Sequence, residues 1–340
     1  MEARIVKSAG INFASIKAGK FRRMHATNIV RQIFNPATLG LNARDSLRVV
    51  SGIYQSLAII RRFKPDVIFI KGGYVGLPLG IAAGWLRVPY IIHESDLIPG
   101  LANKMLARKA ARVAVGFPTD QYPTLSQNRL IYSGNPVRPE LLGIDASAAK
   151  KHFGFSSKLP VVLVTGGSQG ARTLNNAIVG ALPQLVQHFQ LIHLTGESEI
   201  ETVKFQTGRL KLDHPERYRP FAYLAEEMGQ ALAAADVVIS RAGATTISEL
   251  ALLDKPTILV PNAQMAGHQL ANAQLLARSG AVRLIGEDRL TPSILMRELT
   301  GVTGSEEERE YLIKHLATFA VPDAAERLAG EIIKVGAHAA

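Results

Sequence analysis

Short apolar runs alternate with Ala- and Leu-rich stretches of helix length, and this alternation limits the fold more than any other feature of the sequence. The runs are Val67–Ile70, Tyr90–His93, Val113–Val115, Val161–Thr165, Leu191–Leu194, Val237–Ser240 and Thr257–Val260, with helical stretches such as Leu101–Ala110, Leu174–Val186 and Ile247–Leu253 between them. Several runs are apolar at every position, as parallel strands covered on both faces must be. Strand–helix alternation of this kind predicts an α/β, doubly wound architecture. The pattern occurs twice, interrupted by the turn-forming stretch Ser133-Gly134-Asn135-Pro136-Val137-Arg138-Pro139. A chain of 340 residues exceeds what a single core comfortably serves. Two α/β domains with a cleft between them are expected, divided near residue 138.

Composition narrows the function. Without cysteine there is no disulfide framework, thiolate zinc site or cysteine nucleophile. The longest apolar runs fall far short of the ~18 residues that cross a bilayer, and no charged-then-apolar leader stands at Met1, so a cytosolic chain is the expectation. The net charge of +11 is lopsided: residues 1–71 hold 13 Lys and Arg against Glu2, Asp45 and Asp66. Such a segment suits nucleic acid, an anionic membrane or a phosphorylated substrate. Few aromatics interleave with it, which disfavours a module that reads bases.

In open α/β sheets, ligands bind beyond the carboxyl ends of the strands, so the loops after each strand matter most. The first is Gly166-Gly167-Ser168-Gln169-Gly170-Ala171-Arg172, where glycines and a helix start can cradle a phosphate. A tight turn without a ligand would look the same. A dinucleotide site is poorly matched, because the spacing departs from Gly-x-Gly-x-x-Gly and the next acid after a strand is Glu197. The second loop is Arg241-Ala242-Gly243 opening a helix with Ala244, Thr245, Thr246, Ile247, Ser248 and Glu249, where Glu249 can accept both hydroxyls of a ribose. The third carries His268, Gln269 and Asn272 on one side of a helix start, with amides suited to sugar hydroxyls. In the first half, Lys71-Gly72-Gly73-Tyr74 and His93-Glu94-Ser95-Asp96 follow two strands, and His93 or Glu94 is a candidate base. Neither Asp-x-Asp nor His-Glu-x-x-His occurs, so no metal is expected, and a diphosphate would rest on helix termini and on Arg138 or Arg241.

Taken in order, GGYVGLPLG (72–80), HESDLIPGLANK (93–104), GNPVRPELL (134–142), GGSQGARTLN (166–175), ISRAGATTISEL (239–250) and GHQLANA (267–273) resemble the MurG family. The resemblance extends from Met1 to VPDAAERLAGEI (321–332). It implies a GT-B fold with residues 1–138 as the acceptor and membrane-side domain and 139–321 as the UDP-sugar domain. Residues 322–340 would return as a helix to the first domain. It also implies inverting transfer of N-acetylglucosamine from UDP-N-acetylglucosamine to undecaprenyl-pyrophosphoryl-muramyl-pentapeptide, without a cofactor, at the cytoplasmic face of the plasma membrane. By the same resemblance Ser168, Gln169 and Arg138 meet the diphosphate, and Ala244–Glu249 hold the nucleoside. Gln269 and Asn272 face the sugar, while Tyr74, His93, Glu94 and Asn103 line the acceptor side. Lys17, Lys20, Arg22 and Arg23 would meet anionic lipid.

Two departures stand out. The family's His-Glu-Gln-Asn is His93-Glu94-Ser95-Asp96 here, so Asp96 replaces an amide that touches the donor. The family also opens with a strand and a Gly-Gly-Thr-Gly-Gly-His-x-x-Pro turn; roughly 40 residues bearing it are expected to be missing ahead of Met1. Weak donor binding or slow turnover is expected of this chain. The alternatives are another lipid acceptor, or an inactive nucleotide-sugar-binding subunit.

Overall fold

The computed structural model describes residues 3, 6, 7, 9–19, 36–156, 158–167, 171–262 and 267–338, with side chains of the first long helix described from Arg44 onward. Two fully parallel sheets organise them. The first has strands β1 (Ile68–Ile70), β2 (Tyr90–Glu94), β3 (Arg112–Val115) and β4 (Leu130–Tyr132), side by side in that order. The second has β5 (Val161–Thr165), β6 (Gln190–Leu194), β7 (Tyr218–Phe221), β8 (Val237–Ser240), β9 (Thr257–Leu259) and β10 (Arg283–Leu284), in the order β10-β9-β8-β5-β6-β7. Nearly every pair of consecutive strands is joined by a helix, as parallel pairing requires.

The central strands β5 and β8 are enclosed on both faces, which is why Val161–Val164 and Val237–Ile239 read as unbroken apolar runs. Helix α1 (Pro36–Phe63) packs against α2 (Gly76–Trp85), with Val49, Ile53, Leu57 and Ile60 inward. α3 (Leu101–Ala107) packs on α2 and leads into β3. In the second half α4 (Ala146–His152), α5 (Arg172–His188), α6 (Ile200–Gly208) and α7 (Met228–Ala234) are followed by α8 (Ala244–Leu252) and α9 (His268–Arg278). α10 (Pro292–Gly304) and α11 (Glu306–Ala317) complete the cover of the second sheet, α10 lying on α5.

The last helix, α12 (Ala324–Ala337), lies against the first sheet. Its Gly336 sits beside Val67, and its Glu331 is 3.8 Å from Arg112. The segment leading to it packs Phe319 edge-on against Phe117, and Val321 against Gly134.

Three strands escape a reading of the sequence, each for a physical reason. β7 is Tyr-Arg-Pro-Phe, and its proline is tolerated only because the strand lies at an edge. β10 is two residues long at the opposite edge, and β4 is three residues at the edge of the first sheet. Gly10 stops a short helical stretch, with φ +71° and a bond from Ile11 N–H to Val6 O at 3.2 Å. Residues 11–19 after it carry no regular structure. Lys20, Arg22 and Arg23 lie outside the described residues.

Gly134 joins the two halves. Its φ is +70°, and a Cβ there would stand 2.5 Å from Val321 Cβ. Gly143 also has positive φ, +73°, but open space around it. Gly134→Ala is therefore expected to cost about 2–4 kcal/mol, from strain and overpacking together, whereas Gly143→Ala costs about 1 kcal/mol. Thermal unfolding of both variants beside the native chain measures the difference.

Candidate active site

The register of β1 on β2 builds the first part of the site. Ile70 pairs with Ile92, so Lys71 emerges level with His93 at the carboxyl end of the sheet. The Lys71 ammonium donates to His93 Nδ1 at 2.8 Å and to Ser95 Oγ at 2.9 Å. On its far side His93 Nε2–H donates to Gly134 O at 2.9 Å. The ring is fully buried, and burial together with the Lys71 charge lowers its pKa to about 4. A neutral imidazole with both nitrogens engaged acts as a strut between strand and hinge. That geometry does not fit the base role expected for His93.

Glu94 is held just as firmly. Its carboxylate accepts from Gly100 N–H at 2.9 Å, Asn103 Nδ2 at 2.8 Å and Asp96 N–H at 3.2 Å. Burial pushes its pKa up, and these three donors pull it down. Asn103 also donates to His93 O at 3.3 Å, so it braces the loop from beneath. Gly72, with φ +102°, leaves the space Asn103 needs, since a Cβ would approach Asn103 Nδ2 to 2.9 Å. Tyr74 stands exposed on the neighbouring loop.

From this braced loop Asp96 and Leu97 reach the second domain. Leu97 N–H donates to Asn272 Oδ1 at 3.0 Å, and Asn272 Nδ2 donates to Asp96 Oδ1 at 2.9 Å and to Ala242 O at 3.2 Å. Asn272 has no exposed surface and no spare hydrogen-bonding group. In this arrangement it ties the domains together, with both amide hydrogens engaged by protein acceptors. Its neighbour Gln269 uses Oε1 to accept from Asn262 N–H at 2.9 Å.

A second set of contacts crosses the cleft. Asn135 Nδ2 donates to Ser248 Oγ at 3.2 Å, and Ser248 in turn donates to Ala244 O at 3.1 Å. Arg138 donates to Glu249 Oε1 at 3.3 Å. Burial raises the Glu249 pKa, and Arg138 opposes the shift. Helix α8 begins at Gly243 without a side-chain cap, leaving N–H groups available to an acceptor. Thr245 is exposed there and Thr246 half-buried, but Ala244 and Ile247 point into the core. Their side chains do not line the cleft as expected; only the helix backbone can.

Arg241 is buried and donates to Glu287 Oε1 at 2.5 Å and to Val260 O at 2.9 Å, so its guanidinium is committed to partners within the second domain. Ser168 and Gln169 lie outside the described residues, although Gly167 before them has φ +83°. Among the described residues no three His, Asp or Glu side chains converge as a metal ion would require. The roles of Lys71, Ser95 and Asn135 were not legible from residue type, but the β1–β2 register, once assumed, brings Lys71 beside His93.

The comparisons agree with this architecture. Residues 1–115 match the glycosyltransferase family 28 N-terminal domain, and residues 161–328 match the glycosyltransferase family 28 C-terminal domain. A UDP-N-acetylglucosamine–N-acetylmuramyl-(pentapeptide) pyrophosphoryl-undecaprenol N-acetylglucosamine transferase of Bacillus anthracis is 35% identical over 92% of this chain and 84% of its own. The chain belongs to the MurG family of glycosyltransferases. A transferase of the same description from Listeria monocytogenes is 34% identical over 98% of this chain and 88% of its own. The crystal structure of Acinetobacter baumannii MurG superposes with a TM-score of 0.71 at 26% identity, covering 98% of this chain and 88% of that one. The two-domain GT-B fold is thus shared with a solved MurG.

Two buried imidazoles make the fold acid-sensitive. His93 titrates near 4, and fully buried His193, between Tyr218 and Asn175, near 3. Both values lie below the ordinary imidazole pKa of about 6.5, so unfolding takes up protons once the pH falls below that value. Stability is therefore complete above about pH 6.5 and declines toward pH 4, by roughly 3 kcal/mol for His93 alone. Thermal unfolding across that window is expected to show the slope, with His93→Gln flattening it.

Proposed function

We propose that this chain transfers N-acetylglucosamine from UDP-N-acetylglucosamine to the muramyl 4-hydroxyl of undecaprenyl-pyrophosphoryl-muramyl-pentapeptide, with inversion at the anomeric carbon. The observation that carries the reading is the convergence, at one cleft, of the braced loop after β2 with the uncapped start of α8 and the buried Glu249. Relatives whose names state that reaction share about a third of their residues with this chain over most of its length.

In this reading Glu249 accepts the ribose hydroxyls of the donor, a task that fits a buried acidic side chain paired with half-exposed Arg138. Arg138 then moves from Glu249 to the diphosphate, where Ser168, Gln169 and the N–H groups of the α8 terminus also contribute. Gln269 keeps its amide nitrogen for the sugar while its oxygen stays on Asn262. Tyr74 meets the acceptor.

Membrane contact belongs to the same proposal, because the acceptor is lipid-linked. Among the described residues no helix is long and apolar enough to cross a membrane. Trp85, Met105 and Lys109 line one shallow groove between α2 and α3, with Trp85 62% and Met105 51% exposed. Lys104 on α3 and Arg108 just after it stand exposed beside them. Apolar rings and cations together suit an anionic leaflet, each cation adding about 1 kcal/mol near the surface. Exposed Lys17 can add to this from the basic N-terminal segment.

Transfer of labelled N-acetylglucosamine to a short-chain analogue of the lipid acceptor tests the reaction. The native chain is expected to turn over, and Glu249→Ala to lose at least tenfold in kcat/KM through weaker donor binding. A native chain that binds UDP-N-acetylglucosamine without transferring it to any lipid-linked acceptor would make it a binding subunit instead.

Sedimentation with vesicles containing phosphatidylglycerol tests the membrane face. Trp85→Ala with Met105→Ala is expected to lower the bound fraction severalfold while leaving UDP affinity unchanged.

A further inference from the structure

The transfer reading needs a group that takes the proton from the attacking hydroxyl, and the two obvious candidates are already occupied. His93 has both ring nitrogens in hydrogen bonds, and Glu94 carries three donors. A base must present a free lone pair to the cleft.

His268 meets that requirement. It opens helix α9 immediately after Gly267, whose φ of +78° turns the chain into the helix. It lies four residues before Asn272, so both project from one helix face toward the β2 loop. His268 Nδ1 is buried, has no hydrogen-bond partner and lies 3.9 Å from Asp96 Oδ2. The other oxygen of Asp96 is fixed by Asn272. The side chain of His268 as a whole remains 28% exposed. A buried nitrogen facing a carboxylate has one satisfying state, Nδ1–H directed at the carboxylate, and that state leaves the lone pair on Nε2. The separation is about 1 Å longer than a hydrogen bond, as catalytic pairs often are before substrate binds.

We propose that His268 and Asp96 form an acid–base pair assembled across the cleft, with His268 Nε2 as the proton acceptor and Asp96 as its positioning residue. The acceptor O–H bond breaks and its proton passes to Nε2. The oxygen forms its bond to the anomeric carbon as the carbon–oxygen bond to the diphosphate breaks, and that electron pair leaves on UDP. Asp96 holds Nδ1–H throughout and balances the imidazolium, the role a carboxylate plays behind any catalytic imidazole. The two residues come from different domains. The pair therefore exists only when the cleft is shut.

The pair rests on the transfer reading, so its test has one readout that needs no turnover. Nitrogen-15 spectra of the full chain with UDP bound, assigned through His268→Gln, are expected to show the Nδ1–H tautomer of His268. Asp96→Asn should shift it toward Nε2–H. In the transfer assay, His268→Gln should lower kcat by about 100-fold and abolish the acid limb of its pH profile, with UDP affinity within threefold of native. Asp96→Asn should lower kcat by at least about tenfold. Lys71, Glu94 and Tyr122 also face Asp96, so the limb must be read against Lys71→Met, which should displace it without removing it. An Nε2–H tautomer in the native chain, or an acid limb that survives in His268→Gln, overturns the pair alone. The expected tautomer with no transfer by the native chain overturns the transfer reading, and the base role with it.

Discussion

A single buried carboxylate organises the cleft. Glu94 gathers Gly100 N–H, Asp96 N–H and the Asn103 amide, and so closes the chain after β2 into a rigid loop. A buried carboxylate is tolerated only when donors replace its hydration, and three do so here. Because that loop is rigid, Leu97 N–H and Asp96 arrive at Asn272 with fixed geometry. Without Glu94 the first domain would offer the second only a mobile hairpin of Ser95, Asp96 and Leu97.

The same strand end serves the hinge. His93 bridges Lys71 on one side and Gly134 O on the other, and Gly134 in turn packs against Val321 on the approach to α12. The register of the first sheet, the hinge and the returning C-terminal segment are thus linked through one neutral ring. Protonating the ring would place a second cation against Lys71 inside the protein, which is why burial and Lys71 act in the same direction on its pKa.

Much of this was legible in the sequence. Unbroken apolar runs located the central strands of both sheets, because strands covered on two faces must be apolar throughout. Three edge strands were not legible: β7 holds an arginine and a proline, and β4 and β10 are only three and two residues long. Glycine-rich loops after strands located the cleft, since glycine readily takes the positive φ found at Gly72, Gly134 and Gly167, and at the first two a Cβ would collide with a neighbour. What single residues do there was harder to read. Arg241 and Asn272 look like ligand-binding side chains in one dimension, but folding gives Arg241 to Glu287 and Asn272 to the β2 loop. Polar side chains at strand ends serve the fold and the ligand alike, and only their partners decide which.

The contacts across the cleft differ in how readily they part. Arg138 is half-exposed, so its pair with Glu249 is screened by water and contributes little to closure. Asn272 is wholly buried, and opening the cleft would part it from Leu97 and Asp96, whose bonds water can replace. A polar seam of this kind costs little to open, whereas an apolar one would resist. It also demands alignment, since the bonds of Asn272 across the cleft, at 2.9 and 3.0 Å, are lost with a small displacement. A donor that draws Arg138 away from Glu249 therefore disturbs the weakest contact first and leaves the aligned ones to hold Asp96 opposite His268. In the proposed reaction, binding and alignment would fall to two sets of residues, so occupation of a nucleoside site at Glu249 need not disturb the geometry at Asp96.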